Sequence, residues 1–192
     1  MVIAPLTKVE AKTAAEVCRR FELSEPAQAL PRDGLSPAAL LERLIDERHF
    51  HDAIRLLAYA LPKRESIWWA ACCAKSALGP TITPQQQAAL ETTQRWCAAP
   101  SEELRRAAMA AAEKAQLKNP AGCAALAVFL SGGSLAPPEA PVVPPADDLT
   151  PQIVAGAILM AAVIRQPEQA EQKYMQFLEQ GVAIAGGKDS WK

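Results

Sequence analysis

The residues of this chain predict an all-α fold, on three observations. Half of the 192 residues are hydrophobic, alanine dominates that half, and only ten residues are aromatic. Capping side chains followed directly by proline recur along the chain. Apolar residues return at intervals of three and four, and no segment of useful length alternates strictly. Alanine is the best helix former and fills little volume, so alanine-rich helices approach one another closely. The expected architecture is a single helical domain over residues 1–192. It is a bundle or short array of helical hairpins with about eight or nine helices, carrying a proline-rich extended loop packed on its surface.

The helix starts are the clearest local signals. Ser36-Pro37, Thr83-Pro84, Asn119-Pro120 and Thr150-Pro151 each place a side-chain acceptor before a residue that has no N–H to satisfy. Thr13 and Glu16 have capping-box spacing. Beyond Pro37, Leu40, Leu41, Leu44 and Ile45 form one stripe with Glu42, Arg43, Asp46 and Glu47 opposite. In the next segment Ile54, Leu57, Ala58 and Leu61 share a face. Ile67 to Ala74 is apolar on every side, and its adjacent Trp68 and Trp69 point in different directions, so this helix is expected at the centre of the core. Further on, Glu102 and Arg106 pair at i,i+4 in front of an alanine face.

One segment interrupts the pattern. Residues 131–148 hold five prolines and two glycines, which exclude a helix. The loop is expected to span 131–149 and to dock on its own domain, with Leu135, Val142 and Val143 as apolar anchors. A C-terminal antiparallel helical hairpin is expected over 150–186, similar to a tetratricopeptide pair but without a regular 34-residue period. A tail over 187–192 ends in an exposed Trp191.

Charge and apolar run lengths exclude several function classes. With 20 basic and 21 acidic residues, the net charge is zero over residues 1–35, +1 over 36–78 and over 79–119, and −3 over 120–192, so none of these segments carries a basic stripe for a nucleic-acid backbone. The longest uncharged apolar run, Ile153 to Ile164, falls short of the roughly 20 residues a membrane-spanning helix needs. Charges at Lys8, Glu10 and Lys12 break any secretory leader core. The five cysteines, two of them adjacent, make a poor disulfide framework and read as reduced thiols in a cytoplasmic protein.

Catalytic and metal-binding patterns are absent as well. The histidines, His49 and His51, stand at i,i+2, and neither a Cys-x-x-Cys pair nor His-Glu-x-x-His occurs. No nucleophile elbow or phosphate-cradling glycine loop is present. Asp46, Glu47 and Asp52 lie near the histidines but read as a solvated charged face beside Arg43, Arg48 and Arg55. Lys63 and Arg64 open the tryptophan helix, where the helix dipole disfavours cations. They read either as an anchor for an acidic partner or as partners of Glu65 and other acids. The expectation is therefore a protein that is not an enzyme and needs no cofactor. Its candidate partner-binding residues are Lys63, Arg64, Leu135, Val142, Val143 and Trp191.

The stretches LLAYALPKRESIWWAACCAKSA and AALAVFLSGGSLAPPEAPVVPPADDLTPQIVAGAI resemble an uncharacterised bacterial family of small all-helical proteins, over roughly residues 50–185. Such proteins are often encoded near type VI secretion spike and effector genes. The resemblance implies an accessory adaptor or chaperone whose partner is a secreted effector or spike component. An immunity-type inhibitor or a small-ligand-binding protein stays open beside it.

Overall fold

The structure is a computed structural model in which residue 3 and residues 5–30 and 34–188 are described. Among them lie ten α-helices and no strand: α1 (Ala14–Cys18), α2 (Glu25–Gln28), α3 (Pro37–Asp46), α4 (Phe50–Ala60), α5 (Lys63–Leu78), α6 (Pro84–Ala98), α7 (Glu102–Ala115), α8 (Pro120–Phe129), α9 (Leu149–Val163) and α10 (Ala170–Ala185). The all-α prediction holds, and eight of these helices have ten residues or more.

Three of the four cap–proline pairs act as the spacing predicts. Ser36 accepts from the Ala39 N–H and Asn119 from the Gly122 N–H. Thr83 and Gln86 exchange the two bonds of a capping box. Thr150 differs. Helix α9 starts two residues earlier than the pair predicts, at Leu149, and the Thr150 hydroxyl donates to the Leu130 carbonyl at 2.9 Å, tying α9 to the end of α8. Ser101 caps α7 by accepting from the Leu104 N–H.

Helices α6, α7 and α8 pack in succession, and α5 and α9 run through the middle. The tryptophan helix α5 touches α4, α6, α8, α9 and α10, while α9 touches α4, α5, α8 and α10. Both are apolar around most of their circumference, which is why both need neighbours on several sides. Trp69 is fully buried, and its indole Nε1 donates to the Phe177 carbonyl of α10 at 2.7 Å. One turn further along α10 sits Gly181, where an added Cβ would lie 2.6 Å from Trp69 Cε2 and 2.7 Å from Leu57 Cδ2. The missing side chain is what lets α10 seat on α4 and α5.

The C-terminal pair departs from the expected hairpin. Helix α9 and the segment Pro167–Ala185 turn by 114°, well short of antiparallel. Gln166, in the left-handed region at φ 47°, and Pro167 after it redirect the chain at the junction. No single helix among the described residues is long and apolar enough to cross a membrane. The N-terminal segment lies across the domain: the Lys8 N–H donates to the Ala185 carbonyl at 2.9 Å, and its ammonium reaches the largely buried Glu65 at 3.3 Å.

Two interior helix glycines should respond oppositely to the same change. Gly181→Ala should destabilise by about 1–3 kcal/mol, because overpacking against Trp69 and Leu57 outweighs the gain in helix propensity. Gly156 of α9 has nothing within 4 Å of an added Cβ, so Gly156→Ala should stabilise by about 0.5–1 kcal/mol. Urea midpoints read both, and shifts of the same sign would contradict the packing described.

Candidate functional site

Two helical stripes meet in a cleft of about 460 Å³ between α4 and α9. From α4 come His51, Asp52, Arg55 and Tyr59. From α9 come Gln152, Ala155, Gly156 and Leu159, at i, i+3, i+4 and i+7, and Ser24 closes one end. Each set shares a face because those intervals return to one side of a helix. The polar residues therefore stand opposite a small apolar floor.

Asp52 organises the polar wall. The residue is only 3 % exposed, and its carboxylate accepts from the Ser24 N–H at 2.9 Å and from the Ser24 hydroxyl at 2.5 Å. Ser24 thus spends its hydroxyl on Asp52 and does not cap the helix that follows it. Arg55 Nη1 lies 4.0 Å from Asp52, and its guanidinium stacks over the Phe21 ring at 5.0 Å. Phe21 packs on Tyr59 with ring centroids 4.9 Å apart. Arg20 covers the Tyr59 ring and donates to the Tyr59 carbonyl at 2.8 Å. Burial, and then the nearby Asp148 carboxylate, push the Tyr59 phenol up, so it stays a neutral donor at neutral pH. His51 Nε2 lies 3.1 Å from the Tyr174 hydroxyl, with the rings edge to face.

This corrects the solvated-face reading of the carboxylates. Asp46 and Glu47 are exposed, but Asp52 is buried and bound because Ser24, distant in sequence, folds over it. Sequence reasoning missed the site, although one signal was available: Asp52, Arg55 and Tyr59 recur at i, i+3 and i+7.

The six candidate partner-binding residues do not form one site. Lys63 donates to the Ser131 carbonyl at 3.2 Å and lies 3.7 Å from Asp147, so it holds the base of the proline-rich loop. Arg64 turns away to the C-terminus of α6, where Nε donates to the Cys97 carbonyl at 2.5 Å and Nη2 to the Ala98 carbonyl at 3.1 Å. Neither pairs with Glu65, which takes Lys8. Leu135 is half-buried, but Val142 and Val143 are 77 % and 49 % exposed and do not anchor the loop. Trp191 lies outside the described residues.

The loop is held by hydrogen bonds instead of apolar contacts. Its unpaired carbonyls are strong acceptors, and prolines leave few donors to pair with them. Arg105, 4 % exposed, donates to the Phe129 carbonyl at 2.5 Å and the Ser134 carbonyl at 2.9 Å, and its other contacts run to Glu102. Arg106 donates to the Ala136 carbonyl at 3.1 Å. Gly133, at φ 65°, passes so close that a Cβ would sit 2.8 Å from Arg105 Nε. The Leu135 N–H closes onto the Val143 carbonyl at 2.8 Å, leaving the tip facing solvent.

A second surface is apolar and simpler. Ala88 of α6 and Ala107, Ala110 and Ala111 of α7 line a shallow groove of about 460 Å³, bounded by Pro84, Gln85 and Lys114. Elsewhere burial favours the neutral thiol form of several cysteines. Burial pushes Cys72 up to about 11 and Cys97 up to about 12, and raises Cys73 well above the ordinary thiol value. No group of three or more His, Cys, Asp or Glu side chains that could hold a metal ion occurs among the described residues.

Fold and cleft together define an all-helical domain with a polar cleft between two of its central helices. The chain belongs to DUF6931, a family of unknown function, whose model matches residues 40–185. The match starts earlier than the resemblance in the sequence suggested and takes in most of α3. No curated protein and no solved structure matches the chain.

Arg105→Met should release the loop, with thermolysin then cutting between Leu135 and Val143 while the helical signal persists. Equal protease resistance in the variant would mean that the arginine contacts do not hold it. Hydrogen bonds from Arg105 hold Glu102 down to about 2, against an ordinary 4.5. The folded value is depressed, so this stabilisation is present above pH 4.5 and is lost as pH falls toward 2. Protection of the loop should follow that window. The thiol shifts predict a separate result, because raising a pKa from 9.0 to about 12 cuts the thiolate fraction on the order of a thousandfold. Iodoacetamide at pH 8 should leave Cys73 and Cys97 unmodified in the native protein and label both in urea, as read by peptide mass spectrometry.

Proposed function

We propose that this chain is a non-enzymatic protein–protein interaction module, an accessory adaptor or chaperone for type VI secretion cargo whose partner is a secreted effector or spike component. The observation that carries the reading is the pair Val142 and Val143, turned to solvent on a loop whose base is pinned by Lys63, Arg105 and Arg106. Two valines held in water gain nothing for the domain itself. Pro141, Pro144 and Pro145 flank them and pre-order the backbone, so a partner that covers them meets little further entropy cost.

The secretion context comes from the resemblance of the tryptophan-helix and proline-loop stretches described above. The alanine-lined groove on α6 and α7 supports the same reading, because short side chains allow a partner helix to approach closely. An immunity-type inhibitor would be expected to present a charged plug, whereas the tip presented here is apolar.

Affinity purification from the native host under secreting conditions, with the chain as bait, supplies the partner for the test. Reconstitution with that purified partner should then show binding weakened at least about tenfold by Val142→Asp combined with Val143→Asp, since each buried valine contributes about 1.5–3 kcal/mol. Both positions are exposed, so the variant should fold normally. Unchanged affinity would remove the loop tip from the interface.

A further inference from the structure

We propose that the cleft between α4 and α9 is a binding site for a free small organic carboxylate with a short apolar body. This goes beyond the interaction role and rests on different residues.

The argument starts from two arginines in contrasting states. Arg105 has its donors engaged by Glu102 and by the Phe129 and Ser134 carbonyls. Arg55 is half-buried, with its side chain 36 % exposed, and it forms no hydrogen bond among the described residues. Its two contacts are Asp52 at 4.0 Å and the face of Phe21 at 5.0 Å. Those contacts fix the guanidinium plane and leave its N–H donors unspent. Asp52 cannot swing to take them, because Ser24 holds both of its oxygens. A planar fork held in place and facing a cleft suits a carboxylate, which accepts two parallel N–H bonds.

The opposite wall sets the rest of the ligand. Gln152, whose side chain forms no hydrogen bond among the described residues, adds amide donors at the polar end. Ala155, Gly156 and Leu159 make the floor. Gly156 is the informative residue. A glycine inside a helix costs about 0.5–1 kcal/mol relative to alanine, and here an added Cβ would meet nothing within 4 Å. At Gly181 the domain's own packing requires the missing side chain; at Gly156 it does not, and the space left open belongs to the cleft.

Charge limits the ligand to a monoanion. Among the described residues that line the cleft, Arg55 is the one lysine or arginine, and buried Asp52 and nearby Asp148 offset it, so a phosphate dianion would find too little positive charge. The cleft volume of about 460 Å³ lies in the range that holds small molecules.

The test is an NMR titration of the ¹⁵N-labelled full chain with benzoate and hexanoate, with benzyl alcohol as the uncharged control. Saturable shifts are expected at the Arg55 side chain and along residues 155–159 with at least one acid, and none with the alcohol. Gly156→Leu, whose Cβ would meet nothing within 4 Å, should fill the floor and abolish the shifts, while its melting temperature checks folding. Arg55→Gln should weaken binding at least tenfold, and Lys63→Gln should leave it unchanged. The proposal is overturned if neither acid saturates, if Arg55→Gln binds as wild type does, or if only a glutamate-containing peptide binds and free acids do not. The paired Val142→Asp and Val143→Asp changes should leave the titration untouched, so this reading and the interaction reading fail separately.

Discussion

Short helices leave many carbonyls without partners at their C-terminal ends, and this domain closes those ends with side chains brought from elsewhere in the chain. Arg20 takes the Tyr59 carbonyl of α4, and Arg64 takes Cys97 and Ala98 of α6. Arg105 takes Phe129 at the end of α8, Thr150 takes Leu130, and Lys63 takes Ser131. Lys173 takes Arg165 and Gln166 beyond α9. Most of these donors are cations at the negative end of a helix dipole, so each bond also carries a favourable charge term. The bonds link helices that alanine side chains alone would hold with little contact area.

That pattern draws several of the chain's 20 basic residues onto backbone carbonyls. Lys63, Arg64, Arg105 and Arg106 are spent inside the domain, on carbonyls and on Glu102. Arg55 departs from it, because its plane is held while its donors are not engaged. The exposed valines of the proline-rich loop are a second departure, apolar side chains left in water. Both departures mark places where the domain's own stability leaves side chains available, and the two functional readings rest on them separately.

Packing follows a different rule at the centre. Alanine brings α5, α8 and α9 close together, and the large side chains then need exact vacancies. Trp69 finds one above Gly181, with its indole N–H on the Phe177 carbonyl. The pairing of one tryptophan with one glycine more than a hundred residues away seats the last long helix on the fourth and fifth. Similar logic holds the N-terminal segment, where Lys8 reaches both Ala185 and Glu65.

The helices themselves were legible in the sequence. Cap–proline pairs and apolar spacing act over a few residues, so Ser36, Thr83 and Asn119 announce their helices without tertiary help, and the all-apolar run from Ile67 to Ala74 announces a central one. Tertiary structure decided where the polar side chains went. Asp52 looked like part of a solvated face until Ser24 covered it, and Thr150 looked like a cap, but α9 begins before it and its hydroxyl donates to the Leu130 carbonyl. Val142 and Val143 looked like anchors, but Arg105 and Arg106 reached the loop carbonyls first. Backbone propensity and capping are local energies that a short stretch of sequence contains in full. The partner of a buried donor or acceptor is set by which distant groups the packing brings within hydrogen-bonding distance, and no local pattern contains that.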